Sequence, residues 1–375
     1  MVDVIIAGAG PAGAIAALIL ARTGARVIIV DRETFPRDKL CGDTLNPGAV
    51  RLLRSLDLMG GPLDAALPLA GMRLTGPGAS VTAVYANGAR GLSVRRRDLD
   101  AWLLERAIAA GARFEGGLVA RGPLLDTGTG LVRGLVLSSR GRRGDIRMPA
   151  LMTLGADGRR SVVAAGAGLR LEPPVRRWAF GTYAQGVAGV SALGEMHVRA
   201  GWYLGVAPVG AELVNVCLVT PPRPEGRTPL EVMRRAIDRD PAIAARFAGA
   251  TLDPRVRVLG PLAARVTAPG APGLLLAGDA AGFVDPVTGD GLHLAMQSAM
   301  LAADETARVL VDGQFHTAVW RLEAARRARM GRKLCFDRWV CRLVASPAAL
   351  RLASQGARVF PGVIRRAVSY AGDEV

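Results

Sequence analysis

The stretch Val2 to Asp31, VDVIIAGAGPAGAIAALILARTGARVIIVD, decides the fold. Val2–Ala7 is a short apolar run with β-branched residues and reads as a buried strand. Gly8, Gly10 and Gly13 follow it as G-x-G-x-x-G. Ala12 to Ala21 is apolar and rich in helix formers, and Pro11 suits a first helical turn. Gly24 stops that helix, Arg26–Val30 is a second buried strand, and Asp31 ends it, 18 residues past Gly13.

Each residue type answers a physical need. Gly8 allows the tight turn, Gly10 lets backbone approach a pyrophosphate, and Gly13 lets the helix pack close to the strand. Unpaired amides at the helix N-terminus then face phosphate oxygens. Asp31 can accept hydrogen bonds from a ribose hydroxyl. A lone glycine fingerprint is weak evidence. Strand, glycines, helix, second strand and acid in this order supply the context that the motif requires.

Composition sets the outer bounds. With 375 residues, 50% of them hydrophobic, the chain can bury a sizeable core in two domains or one large one. It has no run of about 20 uncharged apolar residues, so no membrane span is expected. Apolar Val2–Leu20 lacks a basic leader and carries the glycine fingerprint, so it does not read as a signal peptide. The expected location is the cytoplasm, with peripheral contact at the inner face of an anionic membrane as the alternative. Cys41, Cys217, Cys335 and Cys341 show no C-x-x-C spacing, and His197, His293 and His316 are scattered, so neither a disulfide framework nor a metal site is expected. The net charge of +16 comes almost wholly from arginine, since Lys39 and Lys333 are the only lysines. Nucleic acid is not the expected partner, because the basic residues are spread out and do not alternate with aromatics.

Along the chain, residues 32–50 read as a loop and Gly48–Leu56 as a short helix. Ala70–Ala86 reads as two strands around Gly76-Pro77-Gly78, Gly91–Arg95 as a third, and Arg97–Ala110 as a helix. Arg113–Arg121, Gly130–Ser138 and Asp145–Met148 read as a meander with a turn at Gly141–Gly144, and Leu151–Leu154 as a separate buried strand. An antiparallel sheet is expected over 178–220, helices over 230–247, a buried strand at Gly273–Ala277, and helices from Gly291 to Tyr370. The fold class is α/β: a discontinuous Rossmann-like cofactor-binding domain, an inserted antiparallel-sheet substrate domain and a helical C-terminal tail. The expected boundaries are 1–70, 95–172 and 256–345 for the first, 71–94 and 173–255 for the second, and 346–375 for the tail. Asp279, after the apolar strand, can accept hydrogen bonds from a polyhydroxy chain, and Pro286–Gly291 opens a helix whose amides suit a ring carrying developing negative charge.

GAGPAG (8–13), GADGRRS (155–161) and GDAAGFVDPVTGDG (278–291) resemble the flavoprotein group that contains p-hydroxybenzoate hydroxylase, geranylgeranyl reductases and flavin-dependent halogenases. The resemblance covers nearly the whole chain and implies bound FAD. It implies that Gly8, Gly10, Ala12 and Gly13 hold the pyrophosphate and that Asp31, with Arg32, holds the adenosine ribose. Arg96 matches an arginine that contacts FAD, and Asp157 with Gly158 matches a motif linked to both FAD and NAD(P)H. Gly278 and Asp279 match the ribityl-binding turn, and Pro286, Gly289, Gly291 and Leu292 match the loop at the flavin pyrimidine edge.

Phe35–Asp43, FPRDKLCGD, most resembles the geranylgeranyl reductase branch and would put Cys41 near the flavin ring, in chemistry, in substrate contact or as a small buried hydrophobe. The Y-x-W-x-F-P motif of that branch is matched by Tyr203 and Pro208, with Gly205 and Ala207 at its Trp and Phe positions. Trp202, Tyr203, Gly205 and Pro208 are the expected substrate contacts, and Cys41 and Tyr203 the candidate catalytic residues. Halogenases need a strand lysine in the first half and a W-x-W-x-I-P motif, and neither is present.

The favoured expectation is an NAD(P)H- and O2-dependent monooxygenase of an apolar small molecule, acting through a flavin C4a-hydroperoxide. A reductase of isoprenoid C=C bonds and a non-catalytic flavin electron carrier are the alternatives.

Overall fold

The computed structural model describes residues 2–139, 144–172, 176–222 and 224–373. Its opening folds as read: strand Val2–Ala7, helix α1 (Pro11–Arg22) and strand Val27–Asp31. The further helices are α2 (Pro47–Ser55), α3 (Arg96–Ala109), α4 (Val162–Gly166), α5 (Pro229–Asp238), α6 (Pro241–Phe247), α7 (Gly291–Asp312), α8 (Phe315–Ala345), α9 (Pro347–Val359) and α10 (Pro361–Ala371).

Five strands lie parallel in the order Leu274–Leu276, Ile146–Gly155, Val2–Ala7, Val27–Asp31 and Arg113–Gly116. Val2–Ala7, Val27–Asp31 and Leu274–Leu276 are mostly apolar because both faces are covered, whereas the edge strand Arg113–Gly116 is exposed at both ends. Val4 and Ile6 join a core with α1, α3 and α7; Ile5 and Ala7 join another with the 118–139 hairpin and α4. The loops after three of these strands carry Gly8–Gly10, Asp157-Gly158 and Gly278-Asp279 to one edge of the sheet, where ligands bind in such folds.

A second sheet runs in the order Thr251–Leu252, Trp178–Gln185, Leu213–Thr220, Trp202–Pro208, Leu193–Arg199, Gly71–Gly76 and Ala79–Val84. Its pairs are antiparallel except Leu193–Arg199 with Gly71–Gly76. Helices α5 and α6 cover one face. On the other, Tyr203 and Val219 cluster with Val344 of α8 and Leu350 of α9. Among the described residues no helix is long and apolar enough to cross a membrane.

Three expectations are corrected. Arg113–Arg121 is not one strand: Gly117, at φ +76°, breaks it, so Arg113–Gly116 joins the parallel sheet and Leu118–Leu125 pairs with Val132–Ser139. Conversely, Asp145–Met148 and Leu151–Leu154 form one strand, Ile146–Gly155. Pro149, which lacks an N–H, lies between the two expected strands. It stands where this strand exchanges its antiparallel partner, Val132–Ser139, for its parallel one, Val2–Ala7. Gly91–Ser93 pairs with Thr44–Leu45 and Leu67–Leu69 in a separate small sheet. Most of the turn expected at Gly141–Gly144 lies outside the described residues.

The packing of α1 on its strand yields a stability prediction. A Cβ on Gly13 would lie 1.9 Å from the Gly8 carbonyl oxygen, whereas one on Gly122 would meet nothing within 4 Å. Gly13→Ala should destabilise the protein by at least about 2 kcal/mol in urea unfolding, since overpacking typically costs that much. Gly122→Ala should stay within about 0.5 kcal/mol of wild type. Equal effects would contradict the close approach.

Candidate functional site

A cleft of about 1410 Å³, part of it open to solvent, meets the ligand edge of the parallel sheet and one face of the second sheet. Gly10, Ala12, Cys41, Arg96, Gly158, Gly278, Asp279, Pro286, Gly289, Gly291 and Leu292 line it from the first, and Tyr203 and Gly205 from the second. Gly8 and Gly13 do not line it but shape the turn behind it.

Other expected residues lie elsewhere. Trp202 and Pro208 do not line the cleft. On a strand alternate residues face opposite ways, and Tyr203 faces the cleft. Trp202 therefore packs with Leu204 and Val206 on the α5–α6 side, and Pro208 shares its parity. Asp157 caps α4, accepting from Val162 N at 2.8 Å. Asp31 accepts from Ala9 N at 2.8 Å and Glu33 N at 2.9 Å. It thus braces the glycine loop and keeps lone pairs for a ribose. Arg32 is exposed and pairs with Glu33 at 3.5 Å.

The glycine end fits a pyrophosphate. Gly10, at the α1 N-cap, makes no side-chain cap, so the first amides of α1 lack a capping oxygen. Arg96 donates to Asp100 at 2.6 and 2.8 Å, and Arg37 pairs with the same fully buried carboxylate at 3.1 Å. Lys39 lines the cleft with no hydrogen bond or ion pair among the described residues, and burial pushes its ammonium pKa down. Two guanidinium groups sharing one carboxylate, beside an unpaired ammonium, leave a cationic surplus that an anionic ligand would neutralise. Asp279 stands half-buried in the same wall, within electrostatic reach of Lys39 and Arg159. These residues fit FAD.

The far end is different. Leu40, Met72, Met196, Val219, Leu262 and Phe283 give it apolar walls. Tyr203 donates its hydroxyl to Asp285 at 2.5 Å, and Arg177 approaches the other oxygen of Asp285 at 3.5 Å. Burial and the Asp285 charge push the Tyr203 phenol well above its usual range. Cys41 is fixed by Asn215, which donates to its carbonyl at 2.9 Å and to Asp43 at 2.8 Å. Burial raises the Cys41 thiol despite Arg96 beside it, so the neutral thiol is favoured over a reactive thiolate.

Beneath the Pro286–Gly291 loop lies a buried polar cluster that sequence reading missed. Asn46 bonds Asp290, and Lys333 of α8 reaches Asp290 and Asp373 at 3.3 Å each and His293 at 3.4 Å. Asp337, one turn on, is also buried. Its members are far apart in the chain; the one signal was a lysine in a chain that otherwise uses arginine. Arg326, also on α8, braces the Gly278–Ala281 turn, donating to Ser298 at 2.7 Å and to the Ala281 carbonyl at 3.1 Å.

Asp337 carries a pH prediction. Burial, with repulsion from Asp290, outweighs the attraction of Lys333 and pushes the carboxyl from 3.8 up to about 7. The folded state therefore keeps a proton that the unfolded chain releases, so this group's stabilisation falls as pH rises from about 4 to about 7 and then levels. The slope is at most about 1.4 kcal/mol per pH unit. Asp337→Asn should remove that slope in urea midpoints measured at pH 5 and pH 8. An unchanged slope would contradict the assignment.

Known proteins agree with this geometry. The chain is 29% identical over 325 residues to a menaquinone reductase of Mycolicibacterium smegmatis, covering 80% of this chain and 75% of that one. It is 30% identical over 322 residues to digeranylgeranylglycerophospholipid reductase 2 of Methanopyrus kandleri, covering 82% and 77%. The fold matches a geranylgeranyl bacteriochlorophyll reductase-like protein from Thermoplasma acidophilum at a TM-score of 0.81, with 22% identity over 94% of this chain and 90% of that one. It also matches the flavin-dependent brominase Bmp2 at 0.84, with 20% identity over 99% and 93%. The family model described as the FAD binding domain matches residues 1–332, and the chain belongs to that family of FAD-dependent oxidoreductases.

Proposed function

We propose that this protein is a FAD-dependent reductase that saturates C=C bonds of an isoprenoid lipid, with NAD(P)H as the electron donor. The observation that carries the reading is the apolar wall facing Tyr203 at the far end of the cofactor cleft. Two sequence relatives of this chain bear the names of reductases of a prenylated quinone and of a geranylgeranyl lipid. Oxygenation, favoured from sequence alone, ranks second on that account.

Saturating one C=C bond takes a hydride and a proton. Bound FAD, once reduced, would supply the hydride. The chain's own residues do the rest. Leu40, Met72, Met196 and Phe283 would hold the chain and exclude water. Tyr203, which lines the cleft, would deliver the proton, with Asp285 fixing its hydroxyl. Cys41 would contact the substrate as a neutral thiol.

Reduced enzyme, mixed without oxygen with an isoprenoid quinone or a geranylgeranyl lipid, should yield product heavier by two hydrogens, at least one of them from solvent. Tyr203→Phe should keep FAD and lose about a hundredfold or more in rate. Cys41→Ser should keep FAD and change substrate preference. Product that forms only with O2 and carries label from 18O2 would overturn the reading in favour of oxygenation.

A further inference from the structure

Helices α9 and α10 carry apolar side chains on their outer surface. Leu352, Val359, Phe360 and Val363 are 69%, 68%, 67% and 65% exposed. Leu352 and Val359 are two turns apart on one line of α9, and Phe360 sits at the joint where Pro361 starts α10. The opposite side of α9 is buried through Leu350, Ser354 and Ala357. Both helices rest on the 71–84 hairpin, and Leu350 joins the cluster that holds Tyr203. One face thus packs behind the Tyr203 strand while the other is left apolar and uncovered. Soluble single chains rarely present such a stripe without a use for it.

The charge around the stripe selects its occupant. Residues 338–372 contain six arginines and no Asp or Glu. Arg351, Arg358, Arg365 and Arg366 are exposed, and none pairs with a carboxylate among the described residues. A second copy of the chain would set these like charges against each other across a two-fold axis. An anionic bilayer takes both features at once: acyl chains receive the apolar side chains and headgroup phosphates pair with the arginines.

We propose that the α9–α10 elbow docks on the surface of an anionic lipid bilayer. Its use rests on the lipid-substrate reading, since the enzyme would then sit on the bilayer that holds its substrate. The docking itself stands on the exposed stripe and its arginines.

Cosedimentation of the FAD-loaded full chain with vesicles tests it. Wild type should bind phosphatidylcholine vesicles containing one-third phosphatidylglycerol, bind pure phosphatidylcholine at least about tenfold less, and be released as salt rises. The double variant Val359→Ser, Phe360→Ser should bind about tenfold less while keeping its FAD content and its elution volume. Arg351→Gln with Arg358→Gln should lose the preference for the anionic lipid. No binding to anionic vesicles at low salt would overturn the proposal. So would unchanged binding by the double variant, or a wild-type dimer that the double variant dissolves. Vesicle binding is read without turnover, so a failed reductase assay leaves this result standing.

Discussion

The contact between Gly13 and the carbonyl of Gly8 is the constraint on which the cofactor end depends. It seats the first turn of α1 directly on the end of the Val2–Ala7 strand. A methyl group there would push the helix away and turn its free amides out of the cleft. Asp31, reaching back from the next strand to Ala9, holds the same loop from the other side. The parallel register then carries Gly158, Gly278 and Asp279 to the same edge without further help. Close packing at one glycine therefore becomes a ligand site built from several distant segments.

From that edge outward the cleft changes character. Its glycine end gathers Arg37 and Arg96 on the carboxylate of Asp100 with Lys39 beside them, an arrangement that costs desolvation until an anion completes it. Its far end is apolar and offers one fixed phenol. Between them the Pro286–Gly291 loop rests on Asp290, Lys333 and Asp337, so α8 and the returning end of α10 support this part of the cleft. The C-terminal helices thus brace the loop from behind, pack against the Tyr203 strand and present an outward apolar stripe.

Much of this was legible in the sequence because it is local. The first strand–helix–strand unit, the Asp279 turn and the helix after Gly291 each announce themselves within a few residues. What failed needed tertiary knowledge. Ile146–Gly155 reads as two strands in sequence because the partner exchange at Pro149 depends on a strand more than a hundred residues away. Trp202 looked like a pocket residue because an aromatic beside a motif draws attention, yet strand parity relative to Tyr203 sends it to the other face. The buried cluster joins Asn46, Asp290, His293, Lys333 and Asp373, and no window of sequence contains it. Gly48 belongs to the same account: a Cβ there would strike Asp373 and His293 at 2.6 and 2.8 Å, so its small size admits the end of the tail.

The central claim is that the glycine loop, with its helix amides and surplus of positive charge, holds the pyrophosphate of FAD. Titration of protein stripped of flavin, first with FAD and then with FMN, followed by flavin fluorescence, tests this most directly. FMN carries the same ring and ribityl chain but lacks the adenosine diphosphate linkage. The account predicts one FAD per chain and FMN binding weaker by at least about a hundredfold, roughly 2.7 kcal/mol. FMN binding as tightly as FAD, or no flavin binding, would contradict it.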